Sequence, residues 1–176
     1  MKLFASKPIQ DEFLEIRQKL FNDDVPSLTW EQLNQHTDAE LCQELLQRRL
    51  PEPLAFDLDN VEVQEGQVVI KFRGAELYLD WDTGKYFPIS HFDRVPLVGK
   101  LMGQKIEIPL APYAQAFRGD RNLFLQTLRD YLRLQQMQVH RAIVELRREL
   151  ESKVSSWIQE RRSELERERR MTGEDD

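Results

Sequence analysis

The chain has 176 residues, of which 40% are hydrophobic and 32% charged, and its formal net charge is −6 at neutral pH. This length fits one globular domain with an extension better than two independent enzymatic domains. The single cysteine, Cys42, excludes an internal disulfide framework, and neither a membrane span nor a signal peptide is predicted, so we expect a soluble cytoplasmic protein without membrane contact.

Residues 1–50 are predicted to be helical. After Pro8, apolar residues recur at three- and four-residue spacing, which is typical of a helix with proline in its first turn. Two capping boxes follow, in which a threonine stands three residues before a glutamine or glutamate. They are Thr29 with Gln32, and Thr37 with Glu40. The helix after the second box has an apolar stripe that includes Cys42, and Pro51 ends it.

Within residues 54–109 the hydrophobic period changes to two, which predicts an antiparallel meander of four or five short strands. The alternating apolar sets are Val61 and Val63, then Val68, Ile70 and Phe72, then Leu77, Leu79 and Trp81. Residues 85–89 are predicted as a further strand and residues 105–109 as an edge strand. One face of such a sheet is apolar, so we expect the flanking helices to cover it.

The last third of the chain is predicted to be one long helix, because residues 120–170 contain no proline or glycine. Gly119 is expected to end a short helix over residues 111–117, and Asp120 to cap the long one. The fold class is therefore α+β, with N-terminal helices, a central antiparallel sheet and a long C-terminal helix. Residues 1–138 are interpreted as a single domain (helical 1–50, sheet 54–109, helices 111–138), 139–170 as a projecting helix and 171–176 as an acidic disordered tail.

The second half of the long helix carries the candidate binding residues. Its apolar stripe narrows and is flanked by Arg and Glu, as in a coiled-coil seam where edge charges select the partner. The predicted anchors are Ile143, Leu146, Leu150, Val154, Trp157 and Ile158, and the predicted pairing charges are Arg147, Arg148, Arg161 and Arg162. The favoured hypothesis is a non-enzymatic adaptor, chaperone-like protein or assembly subunit that binds itself or another protein through this helix.

A first alternative is nucleic-acid binding. Residues 141–170 hold nine Lys/Arg and seven Asp/Glu, a charge of +2, and arginines near the end of the helix can neutralise phosphates. These are Arg161, Arg162, Arg167, Arg169 and Arg170. Interleaved glutamates at pairing distance, and the helix dipole, explain the same arginines without a ligand, so nucleic acid is the less favoured partner.

A second alternative is a divalent-metal-dependent enzyme. Asp57-Leu58-Asp59, Asp80-Trp81-Asp82 and His91-Phe92-Asp93 each place two possible ligands on one side of an extended chain. Aspartate is also favoured at strand ends and turns for its own hydrogen bonding. No motif requires the three pairs to converge, so no catalytic residue, metal ligand or cofactor is assigned.

Overall fold

The computed structural model describes residues 3–4, 7–50, 52–79, 81–82 and 97–173. It confirms the predicted α+β class, with N-terminal helices, a five-stranded antiparallel sheet and a long C-terminal helix. The chain divides into two compact units, one of Met1–Ile9 with Glu52–Ala142 and one of Gln10–Pro51 with Ile143–Asp176. None of the described helices combines the length and the hydropathy that a membrane-spanning segment needs.

The first unit, which we call the sheet unit, is built around one central strand. Its strands are β1 (Lys7–Pro8), β2 (Ala55–Phe56), β3 (Glu62–Gln64), β4 (Gln67–Arg73), β5 (Trp81–Asp82), β6 (Lys100–Leu101) and β7 (Lys105–Pro109). Strands β2 and β3 pair with one edge of β4, β7 pairs with the other edge, and β6 lies beyond β7, all antiparallel. Strands β1 and β5 form a separate parallel pair.

Alternation along β4 and β7 makes one sheet face apolar. The buried cross-strand pairs are Val68 with Ile108 and Ile70 with Ile106, which lie directly opposite each other. The first part of the long helix, α4 (Arg121–Thr172), belongs to the same unit. Its side chains form hydrogen bonds with the backbone of β2 and of the residues that follow β2. The side chain of Gln136 accepts the Phe56 N–H at 2.8 Å, and Arg129 donates to the Leu58 carbonyl at 3.1 Å.

The N-terminal cap of the long helix follows the sequence prediction. The Asp120 carboxylate accepts the Leu123 N–H at 3.0 Å, which satisfies one of the free amides of the first turn. Gly119 precedes it with a φ of 77°, a conformation that glycine adopts without steric cost. The short helix predicted over residues 111–117 is instead a 3₁₀ helix over Ala111–Tyr113, and the buried Tyr113 hydroxyl accepts the Val98 N–H at 2.7 Å.

Two strand predictions are corrected. The third alternating set is only partly a strand: Leu77 and Leu79 lie in a 3₁₀ helix, Glu76–Leu79, in which the adjacent Tyr78 and Leu79 are both buried, whereas Trp81 lies in β5. Gly74 turns the chain just before this 3₁₀ helix, with a φ of 94° and so little space that a Cβ would lie 2.1 Å from the Pro53 carbonyl oxygen. Strand β7 lies between β4 and β6 and not at the sheet edge. The predicted strand at residues 85–89 falls outside the described residues.

The second unit, which we call the helical unit, combines the N-terminal helices with the distal half of α4. It contains α1 (Ile9–Lys19), a π-helical turn (Leu20–Asp24), α2 (Trp30–Gln35) and α3 (Asp38–Arg49). Both predicted capping boxes are formed, and they start α2 and α3. In the second box, the Thr37 hydroxyl accepts the Glu40 N–H at 3.2 Å and the Glu40 carboxylate accepts the Thr37 N–H at 2.8 Å.

One apolar core holds the helical unit together. Its members are Ile16, Leu20, Val25, Leu28, Leu33, Leu41, Cys42, Leu45, Leu46 and Leu50, with Leu146, Leu150, Val154 and Ile158 from α4. The sequence led us to expect residues 139–170 to project beyond a 1–138 domain, with the N-terminal helices covering the sheet. The apolar stripe of α4 is instead buried against the N-terminal helices from residue 146 onward, because both surfaces are apolar and each covers the other.

Replacing Leu150 by alanine should destabilise the helical unit by about 2–5 kcal/mol, because a fully buried leucine leaves a cavity that its neighbours fill only in part. Urea unfolding followed by circular dichroism measures the loss. The matched change, Leu14→Ala, removes a leucine of the same unit that is 51% exposed and should cost about 0.5 kcal/mol or less. Equal losses in the two variants would contradict the assignment of Leu150 to the core.

Candidate partner-binding groove

The predicted anchors of the distal helix are mostly inside the helical unit. Leu146, Leu150, Val154 and Ile158 are 0–2% exposed and pack in its core, and Ile143 is also buried. A side chain with so little exposed surface cannot contact a partner unless the unit opens. The apolar seam that predicted a coiled coil is therefore covered by the chain itself.

The predicted pairing charges divide into two groups. Arg147 and Arg148 are exposed. Arg162 is held within the helical unit, donating to the Leu33 carbonyl at 2.6 Å and to the Asp38 carboxylate at 2.7 Å. Arg161 forms an ion pair with Glu164 at 3.4 Å, one turn further along α4. Among the described residues, neither Arg147 nor Arg148 forms a side-chain hydrogen bond or ion pair, in contrast to Arg161 and Arg162.

The remaining anchor, Trp157, is half-buried and forms one wall of a surface groove. Phe21 stands beside it, with ring centroids 5.0 Å apart and an angle of 65° between the rings, an edge-to-face arrangement. The groove has a volume of about 270 Å³ and is completed by Asn22, Val25, Pro26, Glu160, Arg161 and Glu164. We call this the aromatic groove.

Phe21 faces outward because it directly follows the last residue of the apolar α1 stripe. Leu20 is fully buried as the last member of the α1 stripe, whereas Phe21 is the next residue and is 52% exposed. The π-helical turn ends where the Val25 N–H donates to the Leu20 carbonyl at 3.0 Å. Phe21 is thus held at the rim of the core by a backbone that is itself fixed.

A buried ion pair fixes the end of that turn. Asp24 is 5% exposed, and Arg49 of α3 donates to both of its carboxylate oxygens, each at 2.6 Å. This two-point geometry is the strong form of the Arg–carboxylate pair, and the hydrogen bond to Asp24 raises the pKa of Arg49. Ser27 adds a hydrogen bond to the Asp24 carbonyl at 2.7 Å. The wall that contains Phe21 and Pro26 is therefore anchored to α3.

No model of a known protein family, no curated protein and no solved structure matches this chain.

The arginines that suggested nucleic-acid binding are partly engaged elsewhere. Besides Arg161 and Arg162, Arg169 lies with its guanidinium carbon 5.2 Å from the centre of the Trp30 ring, at cation–π distance. Arg167 and Arg170 are exposed. The arginine-rich end of α4 thus contributes at least three of its cations to contacts within the helical unit.

The residues that suggested a metal-dependent enzyme lie mainly outside the described part of the chain. This applies to Asp80, His91, Asp93 and the side chain of Asp82. Asp57 accepts hydrogen bonds from the backbone and side chain of Asn60 at 3.0–3.3 Å, as expected for an aspartate in a turn. Within the described residues, no three His, Cys, Asp or Glu side chains are grouped as metal ligands would be.

Cys42 lies in the core of the helical unit, as predicted. Burial raises the pKa of its thiol, and its Sγ lies 3.6 Å from the Glu151 carbonyl oxygen. The thiol is therefore protonated at neutral pH, and it is not a poised nucleophile.

Sequence reasoning missed Phe21 as a functional candidate. A usable signal was present, because Phe21 lies directly after the last residue of the α1 stripe, and an aromatic residue off the stripe is expected to be exposed. The contact of Phe21 with Trp157 could not be predicted from the sequence, since it depends on how two segments far apart in the chain pack together.

An exposed ion-pair cluster between α1 and α4 is expected to make the stability of the helical unit depend on pH. Hydrogen bonding from Lys153, together with the nearby charge of Arg17, lowers the pKa of Glu149. A carboxylate whose folded pKa is below its unfolded pKa stabilises the protein above the unfolded pKa. The contribution is lost as the pH falls through the folded pKa.

Replacing Glu149 by glutamine should therefore lower the unfolding free energy at pH 7 by less than about 1 kcal/mol, since the pair is solvent-screened. The difference from the parent should shrink to nothing well below pH 4, where the carboxylate is protonated in both states. Urea titrations at the two pH values measure it. Glu168→Gln, at an exposed position of the same helix without an ion pair among the described residues, is the matched control and should leave the unfolding free energy at pH 7 unchanged. A pH-independent effect of Glu149→Gln would contradict the assignment.

Proposed function

We propose that the chain is a non-enzymatic protein-binding subunit, of adaptor or assembly type, that holds a short segment of another protein in the aromatic groove. The observation that carries the proposal is the exposed aromatic pair. Phe21 keeps about half of its surface in water beside the half-buried Trp157, on a backbone fixed by the Asp24–Arg49 pair. Exposed aromatic side chains on a rigid frame are the residues that most often dominate protein–protein binding energy.

The size of the groove favours one or two partner side chains over a small-molecule ligand. Its volume of about 270 Å³ is below the roughly 300–1,000 Å³ that is common for small-molecule pockets. The aromatic walls present an apolar surface with little flexibility, so a partner side chain gains contact at low entropic cost. An aliphatic or aromatic residue of the partner is the expected occupant.

The charges of the groove favour a basic partner segment. Glu160 and Glu164 carry two negative charges against the single positive charge of Arg161, which already pairs with Glu164. The whole chain has a net charge of −6, which attracts basic segments over a longer range. The proposed occupant is therefore an apolar residue next to Lys or Arg.

This proposal keeps the distal helix as the binding element but uses a different face from the one predicted. The seam formed by Leu146, Leu150 and Val154 closes the chain's own core. Trp157 and Arg161, on its flank, line the groove. The sequence hypothesis also allowed a second copy of the chain as the binding partner. Light scattering distinguishes this alternative occupant from a segment of another protein.

The test is a selection of random short displayed peptides on the full-length chain, followed by affinity measurement of the enriched peptides. Enriched sequences should share an apolar residue beside Lys or Arg. Phe21→Ser should weaken their binding by about tenfold or more, since a central aromatic contact contributes roughly 2 kcal/mol or more. Leu14→Ser is the matched control, because Leu14 is equally exposed in the same unit but does not line the groove.

Binding that survives Phe21→Ser, or an enriched set without the apolar–basic pattern, would overturn the proposal. Light scattering of the parent chain and of Phe21→Ser supplies the second arm. A monomer in both cases agrees with a foreign segment as occupant. A parent dimer that dissociates on Phe21→Ser would show a second copy in the groove and would contradict the foreign segment.

A further inference from the structure

A second cavity lies in the sheet unit, on the exposed face of the sheet. It has a volume of about 610 Å³ and lies beside β2, β4 and the turn that leads into β7. This volume is within the range of roughly 300–1,000 Å³ that is typical of small-molecule sites. Three of its lining residues are cations, Lys71, Arg73 and Lys105. We call it the basic pocket.

The register of the sheet brings these cations together. Lys71 on β4 is directly opposite Lys105 on β7, so their Cβ atoms are roughly 5 Å apart on the same face. Arg73 lies two residues beyond Lys71 on that face, about 7 Å along the strand. Like charges directly opposite in a sheet are destabilising, so the sheet itself gains nothing from this arrangement.

Within the part of the chain that the structure describes, little of this charge is neutralised by ion pairs. Lys71 approaches Glu62 at 3.4 Å, but both side chains are about half exposed, and such pairs contribute little. Arg73 and Lys105 have no ion-pair partner among the described residues. Asp57, the acid of the pocket lining, is held by its hydrogen bonds to Asn60. The lining of the pocket thus carries three positive charges against the one negative charge of Asp57, in a chain whose net charge is −6.

We propose that the basic pocket binds a small organic molecule through a phosphomonoester group. Such a group carries about −1.5 to −2 charges at neutral pH and three strong acceptor oxygens, which matches two lysines and an arginine better than a single carboxylate does. The guanidinium of Arg73 offers a planar fork for two of those oxygens, and the lysines act as adjacent point charges.

The rest of the pocket indicates what the phosphate is attached to. Met102 is 49% exposed and Ala55 is half-buried, so the rim of the pocket offers an apolar surface beside the cations. Methionine is flexible and polarisable, and it adapts to flat or irregular apolar groups. The expected ligand therefore has an apolar body joined to the phosphate.

Calorimetric titration of the full-length chain tests this with three probes: phenyl phosphate, phenol and inorganic phosphate. Phenyl phosphate should bind saturably and more tightly than either of the others, and its binding should weaken as NaCl is added, because salt screens the cations. If phenol binds as tightly as phenyl phosphate, the proposed contribution of the cations to binding is wrong. If inorganic phosphate binds as tightly as phenyl phosphate, the proposed contribution of an apolar body on the ligand is wrong.

Two single substitutions locate the site. Arg73→Gln and Lys105→Gln should each weaken phenyl phosphate binding by about tenfold or more, as expected when a charge-assisted hydrogen bond is lost. The matched control is Lys100→Gln, an exposed lysine on the neighbouring strand β6 that does not line the pocket. An equal loss in the control would show unspecific attraction to lysines, and the absence of saturable binding in the parent would overturn the proposal outright.

The Lys105→Gln variant also separates a role of Lys105 in ligand binding from a role in the stability of the fold. Without ligand, Lys105→Gln relieves the repulsion with Lys71, so its unfolding midpoint in urea should equal or exceed that of the parent. Phenyl phosphate should raise the midpoint of the parent and leave that of the variant unchanged. A lower midpoint for the ligand-free variant would show that Lys105 serves the fold, and it would contradict the proposal.

Discussion

The burial of one apolar stripe along α4 is the constraint on which the rest of the structure depends. The helix has 52 residues, and it is too polar over most of its surface to be stable alone in water. Its first part buries Phe124, Leu128 and Leu132 in the sheet unit, and its second part buries Leu150 and Val154 in the helical unit. Each unit therefore obtains part of its core from the same continuous helix.

That division decides which surfaces are available for function. Because the N-terminal helices cover the distal stripe, the residues that looked most like binding anchors are structural. Two surfaces that remain in the described part of the chain are the flank of α4, where Trp157 meets Phe21, and the outer face of the sheet, where Lys71, Arg73 and Lys105 are grouped. Both place side chains in positions that local stability does not explain, a half-exposed aromatic pair in one case and opposed like charges in the other. Such local conflicts are where functional sites are expected.

Local signals in the sequence predicted local structure well. The two threonine capping boxes, the Asp120 cap and the strand alternation of Val68, Ile70 and Phe72 all have the expected geometry, because each depends on residues close in sequence. The failures concern contacts between distant segments. Alternation at Leu77 and Leu79 could not show that Gly74 turns the chain, and Lys105 could not be placed opposite Lys71 without the register. The sequence showed the apolar stripe of α4, but it did not show that the N-terminal helices, about 100 residues earlier in the chain, pack against it.

The composition of the helical unit from the two ends of the chain has a consequence for its synthesis. Helices α1, α2 and α3 are complete once Arg49 has been made, whereas the last α4 residue of their core is Ile158. At about 5–20 residues per second, the ribosome takes roughly 5–20 s to make the chain between these two points. During that interval, the apolar faces of the N-terminal helices lack their cover and offer a site for chaperones or for aggregation. A chain cut short before residue 146 would remain in that state permanently.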